Sequence, residues 1–277
     1  MTARPITDTR PDWDAIAAGY DRTNTPSQMW LGDEGLRRAG VGRGTRFLDV
    51  AAGSGAVSIP AARLGAEVLA TDQSPVMLEL LEARARAEGL RVETRLMDGH
   101  ALALDDATFD VAGSQFGVML FGDLPLGIRE LARVVRPGGR VFVTAYGDPH
   151  RIEFLGFLVQ ALQTVRPGFD GPPMDPVPLP FQVSDPARLE AELAAAGLRD
   201  VRVDEIVEST EHADGASLWD WIVWSNPLAG EVLAGLALRA EETAIVQREL
   251  DRLVRERAGG DGPATLTNPV HIGLGTR

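Results

Sequence analysis

Short apolar runs alternate with amphipathic stretches through the first half of the chain. Five of the runs have the length and pattern of buried strands: 47–50, 68–70, 91–97, 109–114 and 140–145. Three of the stretches between them have the composition and spacing of helices: 56–64, 76–87 and 126–135. Because strands that alternate with helices build parallel sheets, this pattern predicts an α/β domain.

Further elements are predicted on both sides of this region. Helices at 13–20 and 26–39 precede the first strand, and residues 1–10 are predicted to be a disordered tail. After the fifth strand, helices are predicted at 151–165, 186–196 and 228–257, and strands at 201–207 and 264–274. The proline-rich stretch 167–186 predicts a long loop, which is either a functional lid or a disordered segment.

The first predicted strand ends in a glycine turn that is suited to a ligand. Gly53 and Gly55 can take positive φ and let a ligand lie against bare backbone, and the free N–H groups of the next helix are expected to face it. Asp72 closes the second strand, where an acid contacts the ribose hydroxyls in βαβ nucleotide-binding units. The stretch therefore predicts a cofactor that contains a nucleoside.

Two residues distinguish this turn from a dinucleotide fingerprint. Ser58 stands where that fingerprint has its third glycine, and Asp49 precedes the turn. A carboxylate is a poor neighbour for a pyrophosphate and a good one for an ammonium group. The cofactor that joins adenosine to an α-amino acid is S-adenosylmethionine.

Five segments carry a resemblance to a known family: DVAAGSG at 49–55, TDQSPVM at 71–77, MDGH at 97–100, FDV at 109–111 and ELARVVRPGGR at 130–140. With them, residues 11–147 resemble the class I (Rossmann-like) S-adenosylmethionine-dependent methyltransferases, most closely the ubiquinone/menaquinone-biosynthesis branch. The resemblance implies a seven-stranded, mostly parallel sheet with an antiparallel last strand and a helical cap. It implies a single domain over 11–277, divided into lid helices at 11–40, a cofactor-binding core at 41–147, cap insertions with the sixth strand at 148–260, and the last strand at 261–277.

The resemblance also implies a cofactor site. The residues it assigns are Tyr20, Asp49, Ala51, Gly53, Gly55, Asp72, Gln73, Met77, Asp98, Gly99, Ser114 and Gln115. Asp98 and Gly99 are placed against the adenine. Tyr20 either reaches the cofactor carboxylate or the substrate, or fixes a lid helix to the core. Ala51 replaces the first glycine of the family loop, and its methyl group is expected to be tolerated if φ is negative.

Substrate and catalytic residues are predicted less directly. Phe116 follows the fourth strand, on the edge where open α/β sheets bind ligands. Trp221 and Trp224 share a helical face, which packs into the core or lines an aromatic substrate pocket. If a base is needed, His150 is the first choice, with Tyr146 and a cleft carboxylate among the alternatives, although a loop histidine is often only a surface residue. The remaining histidines are His100, His212 and His271.

Composition narrows the function classes. A net charge of −13 disfavours nucleic acids and anionic membrane surfaces as partners. The chain has no cysteine and no lysine, which excludes thiolate, disulfide, Schiff-base and P-loop lysine chemistry. No histidine pair or carboxylate cluster has metal-ligand spacing, so no metal is predicted. The start of the chain lacks an apolar signal core, and a cytoplasmic location is the expectation.

These features together predict a methyltransferase that acts on O, N or C of a small, largely apolar molecule, with aromatic and prenylated compounds as candidates. An activated sulfonium needs mainly orientation and exclusion of water, so no strong catalytic motif is required. Two alternatives are an NAD-dependent oxidoreductase and an S-adenosylmethionine-binding protein that transfers no methyl group. The acceptor, the methylated atom and the oligomeric state are left open by the sequence.

Overall fold

The computed structural model describes residues 10–225 and 227–277. The strands are β1 Arg46–Val50, β2 Glu67–Asp72, β3 Val92–Leu96, β4 Phe109–Gln115, β5 Val135–Tyr146, β6 Arg199–His212 and β7 Ala264–Thr276. The helices are α1 Arg10–Ala39, α2 Ser58–Arg63, α3 Pro75–Ala87, α4 Leu124–Val134, α5 Glu153–Gln163, α6 Pro186–Ala195, α7 Gly215–Ser225, α8 Pro227–Gly235 and α9 Ala240–Ala258. Of the predicted tail, residues 1–9 lie outside the described residues, and Arg10 begins α1.

All seven strands form one sheet in the order β3-β2-β1-β4-β5-β7-β6. The pairs from β3 to β5 are parallel, whereas β7 is antiparallel to both β5 and β6. This confirms the predicted fold class. The parallel register brings the ends of β1, β2 and β4 to one edge of the sheet, which is the edge where ligands of such sheets bind.

The N-terminal segment forms one helix, so the prediction of two helices was wrong. Pro26 lies inside α1 and has no N–H to offer the preceding turn, which is why the sequence suggested a break. The helix continues because tertiary packing outweighs that local penalty: Ala17, Thr25, Leu31 and Leu36 are fully buried along it.

Glycines allow α1 to approach closely both the sheet and the glycine turn that follows β1 at residues 51–57, here called the cofactor turn. A β-carbon on Gly35 would lie 2.7 Å from the Phe142 ring, and one on Gly32 would lie 2.5 Å from the Ala56 carbonyl oxygen. Phe142 in turn stacks on Phe47, with ring centroids 6.0 Å apart. The α1 face of the sheet therefore carries a tightly packed aromatic core.

Later elements differ from the sequence pattern in their ends. The helix predicted at 228–257 is two helices, α8 and α9. The strand β6 extends five residues past Val207, to His212. The proline-rich stretch 167–186 is anchored by Gln182, whose amide donates to the carbonyl oxygens of Met119 and Phe121 at 2.6 and 3.0 Å. That anchor ties the stretch to the turn after β4.

The helices α5, α7 and α9 form a cap beside α1. A β-carbon on Gly215 would lie 2.1 Å from the Asp251 backbone nitrogen, so the start of α7 lies directly on α9. Within the described part of the chain, no helix has both the length and the apolar character that spanning a bilayer requires.

Candidate active site

The turn after β1 has the backbone conformation that its glycines suggest. Gly53 and Gly55 have φ of 53° and 103°. A β-carbon on Gly55 would lie 3.0 Å from both Ile59 and Leu81, so this position also lets the turn pack on α3. Ala51 has a positive φ of 56°, so the condition under which its methyl group was expected to be tolerated is not met. The left-handed conformation of an L-residue costs about 1–2 kcal/mol, so this strand end is strained.

Asp49 lies at the start of α2 with its carboxylate enclosed. The side chain is 1% exposed, and its Oδ2 accepts from the Ser58 hydroxyl at 2.6 Å. Burial raises the pKa of Asp49 to about 7, against hydrogen bonds from both the side chain and the backbone of Ser58. The expectation that this helix offers free N–H groups to a ligand is therefore wrong at Ser58, because a carboxylate of the chain itself occupies that position.

Asp72 holds the turn from the end of β2. Its Oδ2 accepts from the Gly53 N–H at 2.8 Å and its Oδ1 accepts from the Ser74 N–H at 2.9 Å. The side chain keeps some solvent access. Burial raises the pKa of Asp72, and the backbone hydrogen bonds partly offset that rise. Each carboxylate oxygen has further lone pairs with which it can accept from a ligand hydroxyl.

The helix α1 lies over the same turn. The Tyr20 ring lies 3.7 Å from the position that a β-carbon on Gly53 would take, and the Thr25 and Ser54 hydroxyls are 2.6 Å apart. The Tyr20 hydroxyl donates to Gln28 at 3.1 Å. Burial raises the pKa of Tyr20, and so do nearby negative charges, which include that of Asp72. The Tyr20 ring thus lies next to the glycine turn, while its hydroxyl bonds within α1.

The end of β4 supplies the next predicted residues. The Ser114 hydroxyl accepts from the Val118 N–H at 3.0 Å, and the Gln115 amide donates to the Gln28 carbonyl oxygen at 3.2 Å. Phe116 has a positive φ of 55° and stacks on Tyr146, with centroids 4.5 Å apart. The two aromatic rings lie where β4 and β5 end, beside the cofactor turn.

The residues after β2 and β3 lie at the other side of the turn. Asp98 is exposed, and its Oδ1 accepts from the His100 N–H at 2.9 Å and lies 2.7 Å from the His100 Nδ1. Gly99 lies against Phe121, because a β-carbon there would come within 2.4 Å of that ring. Met77 is 1% exposed and packs in the core, and Gln73 is partly exposed beside Asp72.

The predicted tryptophans lie between α7 and α1. Trp221 is 4% exposed, packs edge-on against Phe154 at 4.9 Å, and its indole N–H donates to Ser27 at 3.4 Å. Trp224 lies against Gly19, where a β-carbon would come within 2.3 Å of its ring. Both therefore pack against α1, and Trp221 also borders the aromatic group that ends at Tyr146.

The structure does not bring His150 together with these residues. Its side chain is 83% exposed, and its Nδ1 lies 3.0 Å from the Asp148 carboxylate. Tyr146 is 8% exposed, and burial raises its pKa well above the usual value. His212 is buried, which lowers its pKa to about 4. His271 is buried near Glu205, with 3.6 Å between its Nε2 and a carboxylate oxygen.

Sequence reasoning missed a buried polar pair on β6 and β7. Glu208 and Asn268 are opposite each other and are both fully buried, and the Asn268 amide donates to Glu208 Oε2 at 2.9 Å. Burial raises the pKa of Glu208 to about 7. The only sequence signal was general: a cleft carboxylate was among the candidate bases.

Comparisons with known proteins show what the chain is similar to. A family model described as a methyltransferase domain matches residues 48–143. A demethylmenaquinone methyltransferase of Corynebacterium kroppenstedtii is 34% identical over 162 residues, which are 55% of this chain and 68% of the relative. An uncharacterised protein of Mycobacterium tuberculosis is 41% identical over 137 residues, 50% of this chain and 48% of that protein. The chain spans about half the length of the first curated relatives it matches.

The fold also occurs in solved structures. A Haemonchus contortus phosphoethanolamine N-methyltransferase, in complex with phosphomonomethylethanolamine and S-adenosylhomocysteine, superimposes with a TM-score of 0.59 at 16% identity. The match covers 98% of this chain and 60% of that one. At this identity the likeness concerns the fold alone.

Proposed function

The chain belongs to the class I S-adenosylmethionine-dependent methyltransferases, in the branch of the menaquinone-biosynthesis enzymes, and from this we propose that it methylates a small aromatic molecule. The cofactor of this family is S-adenosylmethionine, which supplies an activated methyl group. The chain itself has to bind the cofactor, hold the acceptor in line with the methyl group and exclude water.

The residues at the edge of the sheet fit that cofactor. Asp72 is suited to the ribose hydroxyls, because its oxygens face the turn and can accept further hydrogen bonds. Asp49 is suited to the ammonium group of the amino acid moiety, directly or through water. Gly53 leaves bare backbone beneath the Tyr20 ring, where the methionine moiety would lie. Asp98 and Gly99 remain our assignment for the adenine.

The observation that carries the proposal is the bond between Asp49 and Ser58. In a dinucleotide-binding protein, the helix start after the glycine turn receives a pyrophosphate. Here the Asp49 carboxylate lies at that helix start with 1% exposure, 2.6 Å from the Ser58 hydroxyl. When ionised, Asp49 repels a second anion at this position and attracts a cationic amino acid group. This disfavours the NAD-dependent oxidoreductase.

The proposed acceptor is a ring compound of the quinol type. Two relatives, of Clavibacter sepedonicus and Corynebacterium kroppenstedtii, are named demethylmenaquinone methyltransferases, and we take the acceptor class from them. The stacked rings of Phe116 and Tyr146 support this class, because they lie at the ends of β4 and β5 beside the cofactor turn. Trp221 and Phe154 extend the same aromatic surface.

Titration calorimetry tests the cofactor assignment. We expect heat of binding with S-adenosylmethionine and none with NAD at the same concentration. Binding of NAD without binding of S-adenosylmethionine would contradict the proposal and favour the NAD-dependent oxidoreductase.

Methyl transfer is tested with S-adenosylmethionine that carries a labelled methyl group and with chemically reduced demethylmenaquinone. We expect label in the lipid extract and an equal amount of S-adenosylhomocysteine. Tight binding of S-adenosylmethionine with no label in this acceptor or in shorter naphthoquinols would favour the protein that binds the cofactor without transferring a methyl group.

A further inference from the structure

The face of the sheet beneath α1 carries buried oxygen atoms that have no hydrogen-bond partner. Within residues 10–225 and 227–277, these atoms are Glu208 Oε1, Asn268 Oδ1, Thr144 Oγ1 and Gln115 Oε1, with Asn24 Oδ1 on α1 itself. The three amide oxygens can only accept a hydrogen bond, and the same holds for Glu208 Oε1 once the carboxylate is ionised. A buried acceptor without a donor is unfavourable, so this face is suited to a ligand that brings donors.

Glu208 and Asn268 place two of these acceptors side by side. They form a cross-strand pair on β6 and β7, so their side chains leave the sheet on the same face. The Asn268 amide donates to Glu208 Oε2 at 2.9 Å, which leaves Glu208 Oε1 and Asn268 Oδ1 without partners. Both side chains are fully buried, and no basic side chain pairs with the carboxylate in the described part of the chain.

This pair lies in the same cleft as the predicted cofactor site. Tyr146 on β5 is opposite Val270 on β7, and Asn268 is the next residue of β7 on that face. A charge on Glu208 raises the pKa of both Tyr146 and Tyr20. Charges on the two cofactor acids also raise the pKa of Tyr20. Tyr146 also stacks on Phe116 at the end of β4, so it lies between that strand end and the Glu208–Asn268 pair.

Aromatic side chains border the space between these groups. Phe154 packs edge-on against Tyr146 with centroids 6.1 Å apart, and Trp221 packs against both Phe154 and His212. Because Glu208 Oε1 is closed to solvent, an acceptor reaches it only when the elements packed over it move. Apolar aromatic side chains thus lie beside buried oxygens that can accept hydrogen bonds.

We propose that Glu208 and Asn268 form a recognition subsite that binds a hydroxyl or amino group on the aromatic ring of the methyl acceptor. This inference rests on the proposed function and adds which oxidation state of the ring is recognised. A phenolic hydroxyl donates to one of the two oxygens and an amino group can donate to both, whereas a quinone or a methyl ether leaves both without a donor. A site whose buried acceptors require a donor binds an analogue without that donor much more weakly.

Paired probes test the subsite before the natural acceptor is identified. The protein is first saturated with S-adenosylhomocysteine at about pH 8, where the Glu208 carboxylate is largely ionised, since its pKa is about 7. Calorimetry then compares 1-naphthol with 1-methoxynaphthalene, which has the same ring and no donor. We expect wild type to bind 1-naphthol about tenfold more tightly or better, as is usual for a hydrogen bond to a charged group.

Variants assign that preference to the carboxylate. In Glu208→Leu the preference for 1-naphthol should fall to about twofold or less. Glu208→Gln keeps the side-chain volume, and its preference should fall to a few-fold because a hydrogen bond to a neutral amide is weaker. Glu211→Gln is the matched control, because Glu211 is exposed on the same strand, and it should keep the wild-type preference.

The outcomes separate the subsite from the proposed function. Equal binding of the two probes to wild type, a preference that survives in both Glu208 variants, or no binding of either probe to the loaded protein would overturn the subsite alone. A protein that does not bind S-adenosylhomocysteine would overturn the proposed function and the subsite with it.

Discussion

The burial of Glu208 predicts how the stability of the protein depends on pH. A glutamate that is ionised near pH 4.5 in the unfolded chain keeps its proton up to about pH 7 in the folded protein. The folded state therefore binds more protons than the unfolded state between these values, and raising the pH through this window favours unfolding. Below pH 4.5 the carboxyl is protonated in both states and its ionisation costs the folded protein no stability. Above about pH 7 the full cost of burying the charge lowers the free energy of unfolding.

The size of the effect follows from the two pKa values. One pKa unit corresponds to about 1.4 kcal/mol, so the ionised carboxylate lowers the free energy of unfolding by about 3 kcal/mol at high pH. Replacing Glu208 by glutamine removes this titration, and the new amide can donate to the Asn268 oxygen that has no partner. Between about pH 5 and about pH 8, the stability of Glu208→Gln relative to wild type should rise by about 2–3 kcal/mol.

Urea unfolding followed by circular dichroism at the two pH values measures this difference. Asp49, Asp72 and His212 also titrate, but they are present in both proteins and cancel when the variant is compared with wild type. Glu211→Gln, on the exposed side of the same strand, should show no such change. If the relative stability of Glu208→Gln stays constant or falls between the two pH values, the carboxylate is solvated or paired and the reasoning is refuted.

Four substitutions test other parts of the site. Asp72→Ala should weaken S-adenosylmethionine binding by about 1.5–3 kcal/mol in calorimetry, whereas the exposed Asp105→Ala should not; equal affinities would refute the ribose contact. Gly53→Val should abolish cofactor binding, because φ is 53° and the side chain would fill the space beneath Tyr20; a fully active variant would mean that the site is misplaced. Ala51→Gly should raise the free energy of unfolding by up to about 1 kcal/mol, since relief of the left-handed strain exceeds the entropic penalty of glycine; clear destabilisation would contradict this. His150→Ala should keep kcat/KM within about twofold, because the ring is exposed; a loss of about a hundredfold would restore His150 as the base.

The part of the site that sequence predicts well is local in the chain. Gly53, Gly55 and Asp72 belong to one strand, turn, helix and strand, and short-range spacing is enough to place them at one edge of a sheet. The same holds for the topology, because alternating strands and helices permit few arrangements. Pro26 shows the limit of local rules, since burial of α1 overrode the helix-breaking effect of proline.

The proposed acceptor subsite depends on contacts between distant residues. Glu208 and Asn268 are 60 residues apart, and only the antiparallel register of β6 and β7 brings them together. Residues 208–212, ESTEH, are all polar, which is typical of solvent-exposed chain, so the predicted strand stopped at residue 207. They are strand residues nonetheless, and α1 and α7 bury alternate ones. Residue spacing along the sequence cannot predict this burial, because it depends on elements that are distant in the chain.

The single helix α1 holds both ends of the cleft. It contacts the cofactor turn through Thr25 and Ser54, and it contacts the cap through Ser27 and Trp221. Because α1 contacts both the cofactor turn and the cap, a movement of α1 that releases one ligand also disturbs the binding site of the other. We therefore expect either ligand to dissociate more slowly while the other is bound, which stopped-flow release measurements would show.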